Sequence, residues 1–198
     1  MNSEKIHKLV GIGLLTALVA VVYFLTMGIT VGPFNITFAL IPIVVGAALY
    51  GWAAGGWLGL VFGAMVLFTG GANAFLMINV PGTIITVLVK GAAAGLVPGL
   101  IYKALENKNR WAATICAAAA APIVNTGIFL LGCLAFFMDT ISEWAAGAGV
   151  ENAGVYMVTA FVGVNFLVEL GANLLLSSVI VRIVDIVKNK LSSNKQGL

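Results

Sequence analysis

From Leu9 to Met27 the chain is an unbroken apolar run, long enough to cross a bilayer as one helix. It exceeds the apolar core of a cleavable signal peptide, and no small-residue cleavage site leading into a soluble domain follows it. The rest of the sequence has the same character. With 61% hydrophobic and only 9% charged residues, it lies far outside the soluble globular range. Each apolar run is followed within a few residues by another, so the 198 residues form one membrane domain with no room for a soluble enzyme domain. The fold class this implies is an all-α integral membrane protein.

Six spans account for the runs, at about 9–27, 36–50, 53–69, 81–102, 111–138 and 155–187. The first outer connection, Gly28 to Thr37, holds the turn formers Gly32, Pro33 and Asn35. The stretch Gly51 to Gly56 breaks an apolar segment too long for one span, and Trp52 and Trp57 flank the break as interfacial anchors. A second outer loop, opened by Thr69-Gly-Gly-Ala-Asn73, closes at Asn79-Val-Pro81-Gly82, where Pro81 suits the first turn of a helix. The third, Asp139 to Gly154, reads as a flexible loop in which Trp144 is a candidate lid.

Charge placement sets the expected topology. The N-terminal leader, the 103–110 loop and the C-terminal segment hold nine of the ten lysines and arginines, and the outer loops hold none. The positive-inside rule then puts both termini in the cytoplasm. The tenth, Lys90, falls near the middle of the fourth span, where a snorkelling path to water is strained. Cys116 and Cys133 belong to one span, ~25 Å apart on a helix, so they form no disulfide and serve as packing residues.

The polar residues inside the spans mark a candidate site. Asn165, Glu169 and Asn173 recur every four residues and share one stripe of the last span. A carboxyl group in mid-bilayer costs a few kcal/mol unless it faces protein or a water-filled cavity, so the stripe faces inward. The fifth span reads Pro122-Ile-Val-Asn125-Thr126-Gly127. A proline there frees a backbone carbonyl beside Asn125 and suits a ligand wall. The candidate substrate-binding residues are Lys90, Asn125, Asn165, Glu169, Asn79 and Trp144. Asn125, Asn165 and Glu169 are expected to border one outward-opening cavity, and Lys90 and Glu169 to offset each other directly or through a ligand. No metal site, catalytic group or cofactor is implied. In the first span, Gly13-xxx-Ala17 and Thr16-xxx-Ala20 place small residues four apart, which lets another helix approach closely.

Four of these features together resemble the substrate-binding S component of an energy-coupling factor (ECF) transporter for vitamins. They are the Gly13-xxx-Ala17 motif, the hairpin around Gly51 to Gly56, the pattern Lys90-Gly91-xxx-Gly95-xxx-Gly99-Leu-Ile-Tyr102, and the polar stripe beginning at Asn165. The resemblance implies that the chain captures a vitamin from outside. It then docks through Gly13, Ala17 and Ala20 on a transmembrane coupling subunit driven by two cytoplasmic ATPases. Family members often carry alanine at both ends of the first motif; Gly13 departs from this but allows at least as close an approach. The chain has no glycine-rich phosphate loop with Lys-Ser/Thr, in keeping with that division of labour. Nucleic acid is not an expected partner. A membrane enzyme using Glu169 and Lys90 lacks the further nucleophilic or metal-binding groups such sites gather. An ion- or proton-coupled carrier titrating Glu169 lacks evident inverted repeats. A purely structural subunit would leave the stripe and Lys90 as helix glue.

Overall fold

The computed structural model describes residues 3–31 and 34–196, so the expected turn residues Gly32 and Pro33 lie outside the described residues. Helix α1 runs over Ser3–Thr26 and leads into two short antiparallel strands, β1 (Thr30–Val31) and β2 (Phe34–Asn35), with Thr30 opposite Asn35. Then follow α2 (Leu40–Tyr50), α3 (Trp52–Phe68), the single turn α4 (Asn73–Leu76), α5 (Val80–Leu105) and α6 (Arg110–Phe136). The last third comprises α7 (Met138–Gly147), α8 (Ala153–Tyr156), a π-helical segment over Met157–Val162 and the long α9 (Gly163–Gln196).

Four helical stretches are long and apolar enough to cross a membrane: Lys5–Thr26, Val80–Leu105, Arg110–Phe136 and Asn165–Val187. Helices α2 and α3 are apolar but shorter. The expected span over 36–50 begins as helix only at Leu40, because Ile36 to Phe38 are neither helix nor strand. That irregular chain is itself buried: Ile36 and Thr37 are 5% and 3% exposed. Non-helical backbone of this kind is tolerated at depth only where protein satisfies it.

The α2–α3 connection is tighter than a six-residue turn. Gly51 alone separates the helices, at φ 93°, a conformation that disfavours any side chain. Gly55 and Gly56 lie within α3, where Gly55, Gly59 and Gly63 face α5. A Cβ added at Gly59 would fall on the Gly91 carbonyl oxygen, and one at Gly95 on that of Gly55. The two backbones therefore touch, as small residues at spacing four allow in membrane helices.

Two further expectations are corrected. The 139–154 connection, expected as a flexible outer loop, is not a loose loop, since α7 fills most of it and α8 begins at an Asn152 cap whose side chain accepts from the Gly154 and Val155 amides. The last span is not one helix from 155, because the π segment and Gly163, at φ 24°, interrupt it just ahead of Asn165. At the other end of the bundle Arg110 and Asp185 form a half-exposed ion pair of 3.1 Å, which contributes little to stability.

Candidate substrate cavity

The cavity is built where α5, α6 and α9 face one another. In α5, Thr83, Thr86, Val87 and Lys90 recur at spacings of three and four and so lie on one stripe. In α6, Asn125, Thr126 and Phe129 follow the proline at 122. In α9, Asn165, Phe166 and Glu169 occupy one face of the first turns after Gly163. Tyr23 of α1 and Phe62 and Val66 of α3 close the remaining side. Together with Thr37 and the roof described below, these groups enclose a volume of about 100 Å³.

Glu169 is 5% exposed, and its Oε1 accepts a 3.0 Å hydrogen bond from the Thr37 backbone N–H. The Thr37 hydroxyl in turn accepts from the Ala39 N–H, just ahead of α2. The carboxyl group thus pins the buried irregular chain that leads into α2. Lys90 lies with its ammonium 5.2 Å from the centre of the Phe129 ring, a cation–π contact. Lys90 and Glu169 both line the cavity and form no direct ion pair with each other. Asn173 completes the stripe by donating from Nδ2 to the Glu169 carbonyl at 2.9 Å, and it does not line the cavity. Asn125 Oδ1 and Thr86 Oγ1 are buried cavity-lining groups with no hydrogen-bond partner in the protein. Such orphans call for an explanation, because burying an unpaired polar atom costs about 1–3 kcal/mol.

The roof is aromatic. Phe75, on the single turn α4, meets Phe137, Phe129 and Phe161 edge to face at 4.9, 5.6 and 6.1 Å between ring centres. All four rings line the cavity.

Of the six residues singled out in the sequence for substrate, Lys90, Asn125, Asn165 and Glu169 line this cavity together. Asn79 does not. Its side chain accepts from the Gly82 amide at 2.9 Å and caps α5, with Pro81 in the first turn, and it borders a shallow groove on the outside. Trp144 is one layer back, packed edge to face against Phe75 and Phe161 at 5.8 and 6.3 Å between ring centres, so it covers the roof without touching the cavity. Sequence reasoning missed Thr37, whose contribution is a backbone N–H that leaves no trace in residue type. It also missed the phenylalanines, which in an apolar chain look like any lipid-facing residue. The threonines at 83 and 86 had a usable signal, since they continue the stripe of Lys90 at helical spacing. Among the described residues no cluster of histidine, cysteine, aspartate or glutamate is suited to a metal ion.

On α1, Gly13 and Ala17 are exposed and Ala20 is half-buried. A Cβ at Gly13 would meet nothing within 4 Å, and large apolar side chains such as Leu14, Leu18 and Val21 surround the small ones on the outer face.

No curated protein and no solved structure matches the chain. A family model, that of the ECF transporter substrate-specific component, matches residues 7–181. A cavity between membrane helices that combines apolar walls with a few polar groups is what a substrate-specific subunit requires, and with nearly the whole sequence matched, the chain belongs to the family of ECF transporter substrate-specific components.

Proposed function

We propose that this multi-pass plasma-membrane protein is the high-affinity binding subunit of an ATP-driven importer, taking up a vitamin or related small molecule. The observation that carries the reading is the cavity itself. Lys90, Asn125, Asn165 and Glu169 come from three helices to one cavity, and Asn125 and Thr86 offer it unpaired hydrogen-bonding atoms. Buried polarity of this kind destabilises a bundle unless something binds to it. The phenylalanines suit a flat ring, and the polar floor suits amide or heterocyclic edges.

In this reading the chain crosses the membrane six times with both termini in the cytoplasm. The second crossing combines the buried irregular chain at 36–38 with the short α2. The aromatic roof faces outward, the entry lies beneath α4, α7 and the π segment, and the ligand is held near mid-membrane. The chain supplies binding and no catalysis. Energy comes from two ATPase subunits through a transmembrane coupling subunit, which docks on Gly13, Ala17 and Ala20 of α1.

Reconstitution tests this division. Gly13→Trp and Ala17→Trp point a bulky group away from the bundle. They are expected to leave ligand binding by the isolated chain intact while abolishing assembly with the coupling subunit and ATP-dependent uptake. Uptake by the chain alone, or normal assembly of both tryptophan variants, would contradict the proposal.

A further inference from the structure

The ionisable side chains that line the cavity, besides Tyr23, are one lysine and one glutamate. Their charges sum to zero, and a proton passed from Glu169 to Lys90 or back leaves the sum unchanged. With one proton held between them, the pair therefore presents a neutral cavity wherever that proton sits. A ligand with a net charge would be left without a counterion in a low-dielectric interior, where an uncompensated charge is strongly disfavoured.

Geometry adds to this. Lys90 and Glu169 are not in contact, yet both line the same space, with Asn125 Oδ1 and Thr86 Oγ1 unpaired around it. One molecule placed between them meets donors at the Lys90 end and acceptors at Glu169 and Asn125. The volume of about 100 Å³ and the ring-lined roof favour a compact flat body. The surface over the roof points the same way. Asp139, Glu143 and Glu151 are exposed there, and neither the 69–79 nor the 137–163 segment contains a lysine or arginine. A field of that sign disfavours the approach of anions.

We propose that the molecule this cavity takes has no net charge and bridges Lys90 and Glu169 with an acceptor and a donor on the edge of a compact flat ring. The inference rests on the reading of the chain as a substrate-binding subunit and deepens it, separating neutral cyclic amides and similar heterocycles from ring carboxylates and ring cations.

The test uses matched one-ring probes on the full chain in lipid nanodiscs, by equilibrium binding at up to millimolar concentration. One set is nicotinamide, nicotinate and N-methylnicotinamide cation; another is uracil and its 6-carboxylate. In each set the neutral member is expected to bind about tenfold or more tightly than its charged counterparts. Glu169→Gln keeps an oxygen for the Thr37 amide while removing the negative charge, and it should shift preference toward the carboxylates. Lys90→Met should shift preference toward the cation. Wild-type binding of a carboxylate as tight as that of its neutral partner would overturn the proposal, as would variants that leave the order of preference unchanged. Failure of every probe would overturn it too. All three leave the transporter reading standing, because ATP-dependent uptake by the assembled complex is measured separately.

Discussion

Gly91→Ala is the smallest change that tests how α5 is held against α3. The new methyl carbon would collide with the Gly59 carbonyl oxygen, and would lie 3.2 Å from the Gly63 amide nitrogen and 3.3 Å from the Gly59 carbonyl carbon. All three are backbone atoms of α3, so no rotamer change relieves the clash. Restoring contact distances near 3.5 Å requires the helices to part by roughly 1 Å, and a gap of that size forfeits a quarter to a half of each dispersion contact along the seam. Overpacking of this kind costs ~1–3 kcal/mol, against a gain of up to ~1 kcal/mol for alanine over glycine in a helix. With backbone on backbone the upper figure applies, for a net loss of about 2 kcal/mol. Gly13→Ala makes the same chemical change where the added Cβ meets nothing within 4 Å, and it should be neutral or slightly stabilising. Thermal unfolding midpoints of the purified variants in one detergent compare the two directly. Equal midpoints for Gly91→Ala and the unaltered protein would refute the reasoning, as would a lower midpoint for Gly13→Ala than for Gly91→Ala.

Two further outcomes are expected. Glu169→Ala strands the buried Thr37 N–H and should lower stability by about 1–3 kcal/mol, whereas Glu169→Gln retains an acceptor and should lose much less; denaturation of both, without ligand, checks the ordering. Asn79→Ala should cost ~1 kcal/mol through the lost cap of α5 while leaving ligand affinity unchanged, a separation that thermal shift and binding assays read independently.

What the sequence made legible is what bilayer physics makes expensive. Glu169 and Asn165 stand out because each would be costly facing lipid, and both point into the cavity. Lys90 stands out for the same reason. Asn125 is marked by the nearby proline at 122, which lacks an N–H and so leaves a helix carbonyl in need of a partner. Where a residue type is cheap in lipid, its place cannot be read from composition: Phe75 and Phe161 form the roof, while Phe68 is 88% exposed, and no pattern separates them. The π segment likewise spans Met157–Val162, six residues that would suit an ordinary helix. The polarity of Asn79 suggested a ligand contact, but an asparagine just before a proline-led helix start also fits a cap, and local hydrogen bonding prevailed. Gly55, Gly59 and Gly63 lay in plain view at spacing four. Their meaning depended on α5 presenting Gly91 and Gly95 to them, a pairing between helices that one helix's pattern does not specify.

The central claim is that the space between α5, α6 and α9 holds the transported molecule. Its most direct test is the equilibrium dissociation constant of that molecule, recovered from the purified protein, for the unaltered chain, Asn125→Ala and Leu131→Ala. Both substitutions lie on α6, but Asn125 lines the cavity, while Leu131 is 63% exposed on the outer face of the bundle. Asn125 Oδ1 bonds to nothing else in the protein, so its removal should spare the fold and weaken binding by ~1–3 kcal/mol, about 5- to 150-fold. Leu131→Ala should leave the constant unchanged. Equal affinities for the unaltered chain and Asn125→Ala would place the ligand elsewhere and contradict the account.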